Sequence, residues 1–278
     1  MEFNQFIQNA LQEDIGSGDH STLASIDANV QGKAILKVKE EGIIAGVEIA
    51  KEIFKILEPT CILNIFIKDG EKVKVGDIAF ELQAKVHTIL KGERLVLNIM
   101  QRMSGIATLT SQYVEKIKNY HSKILDTRKT TPNFRWLEKQ AVLIGGGYNH
   151  RMGLYDMVML KDNHIDYCGG IEKAIDKTNE YLKKNNLPLQ IEIETRTIDD
   201  VQKVINHGGV NRIMLDNFSP EKIKEALILI NKKYETEASG GITLQTIEAY
   251  AQTGVDFISV GAIIHHAYSM DLSLKAIK

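Results

Sequence analysis

An alternation of short apolar strands with helices, beginning at Ser122, constrains the fold of this chain most strongly. Such an alternation is typical of βα units, whose strands lie parallel in one sheet. Strands are predicted at Lys123–Leu125, Asp156–Leu160, Leu189–Ile193, Arg212–Leu215, Glu235–Ala238 and Asp256–Val260. Helices are predicted at Arg135–Ile144, Ile171–Lys184, Ile198–Asn206, Pro220–Lys233 and Leu244–Gln252.

The length of this region indicates which parallel architecture it forms. A closed barrel of eight βα units takes ~250 residues, whereas the alternation here covers only about 140. We therefore expect an open α/β barrel with missing units, covered on one side by another domain or subunit. A doubly wound parallel sheet is the alternative.

The part of the chain before this alternation mixes helical and strand patterns, which indicates a separate α/β region. Turns at Asp69-Gly70 and Gly76-Asp77 separate its short strands. Helices are predicted over Phe3–Leu11, Val47–Leu57 and Glu93–Tyr120, and strands over Lys33–Lys39 and within Cys61–Ile89.

Basic residues are concentrated in the middle of the chain. The net charge is −2, but the segment from Lys91 to Lys161 holds twelve Lys and Arg residues against five Asp and Glu residues. A segment of this kind is typical of a nucleic-acid surface, an anion site or a solvated face. Trp136 is the single tryptophan, and aromatic residues do not alternate with the cations, so a nucleic-acid partner is disfavoured.

The cysteines and the apolar runs bear on the location of the protein. Cys61 and Cys168 share no metal-type spacing and form no disulfide framework, which predicts reduced thiols. No run approaches the ~18 apolar residues of a membrane span. The first residues lack the basic segment and cleavage site of a secretory signal. We therefore expect a cytoplasmic protein with no membrane partner.

Polar or glycine residues follow each predicted strand at its C-terminal end. In parallel α/β folds these ends share one face, where the active site lies. The turns at Ser239–Gly241 and Gly261 predict phosphate binding by backbone N–H groups at the start of a helix, with ordinary turns as the alternative. Glu194 and Asp216 suit sugar hydroxyls, a metal or a developing positive charge, with ordinary salt bridges as the alternative.

A dense set of cations lies on the same predicted face. Arginine binds carboxylates and phosphates through two hydrogen bonds, and lysine supplies a point charge. We therefore expect a small, strongly anionic substrate. The sequence contains no nucleoside-triphosphate phosphate loop, no dinucleotide fingerprint and no nucleophile motif. The cations are Arg128, Lys129, His150, Arg151 and Lys161, with Arg94 and Arg102 upstream.

Ordered motifs run through almost the whole chain. They are Glu13-Asp14, Gly18-Asp19, Ala45-Gly46, Glu93-Arg94, Leu97-Asn98, Ser104–Thr108, Asp126–Thr130, Gly145–Arg151, Lys161–Ile165, Glu192–Glu194, Leu215–Asn217, Ser239–Ile242 and Ser259–Ala262. In these motifs the sequence resembles the quinolinate phosphoribosyltransferases, decarboxylating enzymes of NAD biosynthesis. It departs from the family at Asn133, where Gly is usual, and at His266, where Ser is common.

The resemblance implies a two-domain α/β fold and a shared active site. An N-terminal α/β sandwich would cover residues 1–110 and be joined by the tail at 266–278. An open α/β barrel over residues 111–265 would carry the active site. The family forms dimers, so the partner would be a second copy, in a homodimer or a higher oligomer built from it. Arg94 would enter the neighbouring subunit's site.

The resemblance also implies the residues that bind two substrates, quinolinate and phosphoribosyl diphosphate. The carboxylates of quinolinate would be held by Arg128, His150, Arg151 and Lys161, together with Arg94 of the neighbour. Phosphoribosyl diphosphate would be held by Lys129, Glu194, Asp216, Ser239, Gly240, Gly241 and Gly261, and Thr127 belongs to the same substrate-binding set. Lys129, Glu194 and Asp216 would be catalytic.

Mg²⁺ is the one cofactor that the resemblance implies. The diphosphate would carry most of its coordination, with Glu194 and Asp216 acting through the diphosphate and water, because Mg²⁺ loses its waters reluctantly. Loss of pyrophosphate would leave positive charge at ribose C1, and the pyridine nitrogen would attack that carbon. The quaternised ring would then accept the electrons of the departing CO₂, so no organic cofactor is needed.

Other functions remain open at this point. A nicotinate phosphoribosyltransferase would share the fold and the diphosphate but would hold one carboxylate rather than two. The full cationic set favours quinolinate, and a related enzyme for another small acid is a further alternative. A non-catalytic anion-binding barrel would keep the glycine turns but has no need of Glu194 and Asp216 together with Lys161.

Overall fold

The computed structural model of the chain describes residues 3–277. Contacts within the chain divide it into two units. The first unit comprises the residues up to Ser111, Thr130–Gly146 and the residues from Ile263 onward. The second unit comprises Gln112–Lys129 and Gly147–Ala262. Residues 1, 2 and 278, which the predicted domain boundaries include, lie outside the described residues.

Helices and strands alternate along the described residues. The helices are α1 (Phe3–Ile15), α2 (His20–Ser25), α3 (Val47–Leu57), α4 (Val86–Lys116), α5 (Arg135–Ile144), α6 (Asp162–Cys168), α7 (Ile171–Lys184), α8 (Ile198–His207), α9 (Pro220–Ile230), α10 (Ile247–Ala251) and α11 (Ala262–His265). The strands are β1 (Gln31–Val38), β2 (Gly42–Ile43), β3 (Ile62–Ile65), β4 (Lys72–Val73), β5 (Ile78–Lys85), β6 (Lys123–Leu125), β7 (Val158–Leu160), β8 (Ile191–Thr195), β9 (Arg212–Asp216), β10 (Glu235–Ser239), β11 (Phe257–Ser259) and β12 (Leu272–Ile277).

The main sheet of the first unit is antiparallel, with strand order β12-β1-β5-β3. Alternate residues of β1, namely Ala34, Leu36 and Val38, are fully buried, and this period of two gives the sheet one apolar face. The strand β12, which the strand patterns did not predict, pairs with β1 in the register Leu36↔Leu274. The C-terminal tail therefore belongs to the first unit.

The sheet of the second unit contains six strands in the order β6-β11-β10-β9-β8-β7, and every neighbouring pair is parallel. Among the described residues no strand joins β6 to β7, so the sheet stays open. The predicted α/β fold with an open parallel barrel is therefore confirmed.

Element bounds agree with the sequence patterns to different degrees. The bounds of β6, α5 and α7 are those predicted, whereas β8 lies two residues later than predicted and so includes Glu194. The helix α6 was missed because it is short and buries a single apolar side chain, Ile165. Asn133 has a φ of 61°, a left-handed conformation that glycine and asparagine tolerate best.

The segment Thr130–Gly146 lies in the first unit, whereas the sequence analysis assigned it to the barrel domain. Its fully buried Glu138 accepts a hydrogen bond from the Thr131 backbone N–H and another from Arg102 Nε, at 2.8 and 2.9 Å. Arg102 also donates to the carbonyls of Ile264 and Ala267. This network of the first unit holds the segment, and it uses a cation that the sequence had grouped with the site.

The structure describes both cysteines and the length and polarity of the helices. Cys61 and Cys168 are free thiols, as predicted. Within residues 3–277, no helix is both long enough and apolar enough to pass through a lipid bilayer.

Candidate active site

The predicted site residues of the second unit follow or end its parallel strands. Glu194 lies on β8, Asp216 and Ser239 are the last residues of β9 and β10, and Gly261 comes two residues after β11. Lys161 follows β7 directly. Because the strands are parallel, their C-terminal ends lie along one edge of the sheet. The structure thus places these residues on one face of one unit.

Asp216 is held by its neighbours on this face. Its Oδ1 accepts a hydrogen bond from Ser239 Oγ at 2.6 Å, and its Oδ2 accepts one from the Asn217 side-chain amide at 2.6 Å. The sheet register sets Ser239 directly beside Asp216. The carboxylate is therefore fixed in orientation at the end of two adjacent strands.

Glu194 is half-buried, and its Oε2 is a buried atom with no hydrogen-bond partner. Burial and the nearby charge of Asp216 raise the pKa of Glu194, while the ammonium of Lys161 acts in the opposite direction. An unpaired buried oxygen beside a second carboxylate is costly unless a cation or a hydroxyl group binds there. This carboxylate pair is therefore suited to a ligand that brings positive charge or hydrogen-bond donors.

A glycine turn follows β10 beside these carboxylates. Gly240 has a φ of 93°, and a Cβ there would collide with Asn217 Oδ1, so only glycine fits. Nothing lies within 4 Å of a Cβ added to Gly241, which leaves open space at the turn. The helix α10 begins at Ile247 rather than at Leu244, so the expected helix start beside this turn is wrong. A turn from Thr243 to Thr246 separates the two.

Arginine side chains form a second group on the same unit. Burial and the nearby guanidinium of Arg128 lower the pKa of Arg151. Arg151 NH1 also donates to the carbonyl of Met157 at 3.2 Å, which fixes the side chain. Two guanidinium groups that lie close together favour an anion between them. Thr127 Oγ1 accepts from the backbone N–H of Lys129, which orders the loop that carries Arg128.

Two further predicted cations are exposed. Lys161 lies at the N-terminus of α6 and its backbone N–H donates to His164 Nδ1 at 3.0 Å. Arg94 lies on α4 in the first unit and is exposed. Its predicted role in a neighbouring subunit stays a prediction.

His150 differs from the other predicted contacts because its side chain is only 4% exposed. Its Nε2 lies 2.9 Å from Glu192 Oε2 and 3.4 Å from Glu237 Oε2, and both carboxylates are fully buried. Arg212 NH1 donates to Glu237 Oε2 at 3.0 Å. We call His150, Glu192, Arg212 and Glu237 the buried cluster. Burial and the adjacent Glu237 raise the pKa of Glu192 to about 7.

Sequence reasoning missed three members of the buried cluster as site residues. Glu192 appeared only within a motif, and Arg212 and Glu237 only within predicted strands. A signal was present, because each lies two or four residues before a polar residue of the site on the same strand. Side chains two residues apart point to the same face of a strand. The polar face of each strand therefore extends inward from the site.

Sequence models of one family match nearly the whole chain. The N-terminal domain of quinolinate phosphoribosyl transferase matches residues 19–104, and its C-terminal domain matches residues 106–275. The chain is 45% identical over 284 residues to quinolinate phosphoribosyltransferase [decarboxylating] 1b of Nicotiana tabacum, covering 97% of this chain and 81% of the relative. It is 41% identical to the probable nicotinate-nucleotide pyrophosphorylase [carboxylating] of Bacillus subtilis, covering 99% and 93%.

Solved structures agree with these relatives. NadC from Streptococcus pyogenes superposes with a TM-score of 0.92 at 38% identity, covering 99% of this chain and 97% of that one. The nicotinate-nucleotide pyrophosphorylase of Francisella tularensis superposes with a TM-score of 0.90 at 40% identity, covering 98% and 95%. Human nicotinic acid phosphoribosyltransferase, at 9% identity and a TM-score of 0.65, shares the fold alone.

Proposed function

The chain belongs to the quinolinate phosphoribosyltransferase family, as its motifs predicted, and we propose that its site joins quinolinate to phosphoribosyl diphosphate. The products are nicotinate mononucleotide, pyrophosphate and CO₂. Relatives that are 41–45% identical over most of the chain carry the names of this enzyme. The chain is thus a phosphoribosyltransferase, a transferase of pentosyl groups, and acts in NAD biosynthesis.

The proximity of Arg128 and Arg151 is the observation that most favours quinolinate as the acceptor. Burial and the nearby guanidinium of Arg128 together lower the pKa of Arg151, and an anion between the two guanidinium groups would relieve their mutual repulsion. Quinolinate brings two carboxylates, and Lys161, which directly follows β7, is proposed to supply a further charge for them. A monocarboxylate would leave part of this positive charge unmatched. The arginine pair therefore supports a dianionic acceptor.

The carboxylates and glycine turns support phosphoribosyl diphosphate as the donor. Open space at Gly241 leaves room for a phosphate that the backbone N–H groups of this turn would bind, and Gly261 provides a second turn after the neighbouring strand. Asp216, which contacts Ser239 at the start of this turn, and Glu194 on the adjacent strand β8 suit the hydroxyl groups of a ribose. Lys129, which is exposed on the loop after β6, is the cation proposed for the diphosphate.

The carboxylate pair also fits Mg²⁺. Carboxylate oxygens are the ligands that Mg²⁺ accepts, and the buried Oε2 of Glu194 has no hydrogen-bond partner that would compete. We propose that Glu194 and Asp216 hold the ion through water and through the diphosphate. When bound, Mg²⁺ would neutralise charge on the departing pyrophosphate.

The chain's own residues account for the remaining chemistry. Arg128, Arg151 and Lys161 orient quinolinate with its ring nitrogen towards ribose C1. The C1–oxygen bond breaks with its electron pair leaving on pyrophosphate, whose charge Lys129 offsets. Glu194 and Asp216 stabilise the positive charge that develops on the sugar. After the new C1–nitrogen bond forms, the bond between ring carbon C2 and its carboxylate breaks and CO₂ departs. The positively charged ring nitrogen stabilises the electron pair left on C2, and this carbon then takes up a proton from water.

A homodimer is part of the proposal. The sheet of the second unit is open, and the resemblance places Arg94 in the site of a neighbouring copy. A shared site of this kind requires at least two copies related by two-fold symmetry. A cytoplasmic location is likewise proposed, in agreement with the free thiols of Cys61 and Cys168.

The choice of acceptor can be tested with the purified protein. The protein is incubated with Mg²⁺, phosphoribosyl diphosphate and either quinolinate or nicotinate, and CO₂ and pyrophosphate are measured in each reaction. With quinolinate both products should appear in equal amounts, and with nicotinate neither should. Pyrophosphate release with nicotinate at the rate seen with quinolinate would instead identify a nicotinate phosphoribosyltransferase.

A further inference from the structure

His150 has no polar ring atom left for a substrate. Its Nε2 faces Glu192 and Glu237, and its Nδ1 accepts a hydrogen bond from the backbone N–H of Arg151 at 2.6 Å. Its side chain is 4% exposed. We propose that His150 is a positioning residue rather than a substrate contact, and that Glu192, Glu237 and Arg212 hold it so that it sets the place of Arg151.

The interior side of His150 is held by charge. Glu192 lies on β8 and Glu237 on β10, and Arg212 on β9 lies between them in strand order. Arg212 also donates to Glu235 Oε2 at 2.9 Å, and its guanidinium stacks 4.0 Å above the Phe257 ring. The imidazole is therefore fixed by groups on three central strands of the sheet.

The charges of the buried cluster balance without a metal ion. His150, Glu192 and Glu237 are ligand types, and their ligand atoms lie within 4.8 Å of one another. Arg212 already neutralises Glu237 at 3.0 Å, and a second cation in the same buried space would repel it. One proton between His150 and Glu192 then completes the balance. The buried cluster therefore needs no bound ion to balance its charges.

The other side of His150 faces the proposed acceptor site. Its backbone N–H donates to Asp126 Oδ1 at 2.8 Å, and Asp126 directly follows β6. Its Nδ1 fixes the backbone of Arg151, whose guanidinium lies near Arg128. A shift of the imidazole would therefore move Arg151, and small displacements of a binding group weaken binding strongly. Glu237 contacts His150, and Arg212 contacts Glu237, so we expect both to act on quinolinate through His150.

This inference rests on the proposed function. Variants of two glutamates on the same strand, Glu237 and Glu235, test the inference separately from that function. Glu237→Gln removes the charge that holds both Arg212 and His150. Glu235→Gln removes a charge from the same strand and the same arginine, whereas the carboxylates paired with His150 are those of Glu192 and Glu237. Thermal unfolding, kcat and the KM values for both substrates are measured for each variant, together with the Kd of quinolinate alone.

Glu237→Gln should raise the KM and the Kd of quinolinate by roughly ten-fold or more, with a much smaller change in the KM of phosphoribosyl diphosphate. Glu235→Gln should leave all three values near those of the unmodified protein. Equal losses for both substrates, or no loss, would overturn the positioning role. Failure of the unmodified protein to turn over quinolinate would instead overturn the proposed function.

A double variant keeps the test decisive if Glu237→Gln does not fold. Arg212→Met with Glu237→Gln replaces the whole buried ion pair by uncharged side chains of similar size, a change that proteins often tolerate. It should fold and still bind quinolinate more weakly by roughly ten-fold or more. Binding of quinolinate equal to that of the unmodified protein would overturn the inference.

Discussion

The two units place different side chains on the buried faces of their sheets. In the first unit, alternate residues of β1 and its partner β5 are apolar and fully buried, as at Leu36, Phe80 and Leu82. In the second unit, β8 and β10 are buried on both faces, and Glu192 and Glu237 are completely buried among their residues. Apolar burial stabilises a fold without any specific partner, whereas a buried charge is costly unless it is paired. Paired charges therefore appear where the position of a side chain matters more than stability.

This contrast predicts that the substitution with the largest loss of stability lies in the antiparallel sheet of the first unit, which we call the apolar sheet. Phe80→Ala should lower the free energy of unfolding by about 3–5 kcal/mol, because it removes a fully buried ring and leaves a cavity. The measurement is urea unfolding. Phe66→Ala is the control, since this ring on the same unit is 59% exposed and should cost far less. Equal losses for the two variants would refute the contrast.

Helices were predicted correctly from the sequence where the hydrophobic periodicity was strong. The bounds of α3, α5 and α7 are those predicted, because each has an apolar side at helical spacing that packs on a sheet. The strand β12 was missed because its pairing with β1 joins residues more than two hundred positions apart. No local pattern contains that information.

The site followed from the sequence in part. Glu194, Asp216 and Ser239 could be predicted because residues at the ends of parallel strands meet on one face. The inner residues Arg212 and Glu237 were missed although their spacing from Asp216 and Ser239 places them on the same face of each strand. That spacing does not give their burial, because a charge within a strand is buried or exposed according to its neighbours on other strands. The orientation of His150 towards the interior depends on those same residues.

The second prediction tests whether the first unit has a direct role in catalysis. Lys161→Ala should weaken quinolinate binding by about 2–4 kcal/mol if the ammonium is desolvated in the complex. Each variant alone, Arg94→Ala or Lys161→Ala, should be nearly inactive. If the two variants are unfolded and refolded together, about half of the proposed dimers should carry one of each chain. One of the two sites in such a mixed dimer should then be complete. Activity should return to roughly a quarter of that of the unmodified protein.

A second pair of variants provides the matched control for this mixture. Lys161→Ala mixed with Asp216→Ala places both changes in the unit that carries the strand ends, so every site of a mixed dimer lacks one residue. This mixture should stay inactive. If mixed dimers of the Arg94 and Lys161 variants form and are equally inactive, Arg94 acts within its own chain.

The third and smallest expected effect concerns the parallel sheet of the second unit, which we call the charged sheet because it buries Glu192 and Glu237. It predicts how the stability of the protein changes with pH. The pKa of the Glu192 carboxyl rises from 4.5 to about 7 on folding, because of burial and the charge of Glu237. Between these values the folded protein keeps a proton that the unfolded chain releases. Its contribution to stability is therefore complete below pH 4.5 and is lost as the pH rises through 7. The folded protein should become less stable over this range.

Glu192→Gln removes this titration, because glutamine resembles the protonated carboxyl and does not titrate. It also removes a carboxylate that, against the effect of burial, helps to raise the pKa of His150 to about 9. Urea unfolding of both proteins at pH 5.5 and pH 8 should show similar stabilities at the lower pH. Between these two pH values the unmodified protein should lose about 2 kcal/mol more stability than the variant, because its Glu192 carboxyl loses a proton that the variant does not carry. The apolar sheet of the first unit offers no such titrating group on the buried face of β1, so the difference between the proteins reports on the charged sheet. A constant difference at both pH values would mean that Glu192 is ionised throughout and that the cluster holds no extra proton.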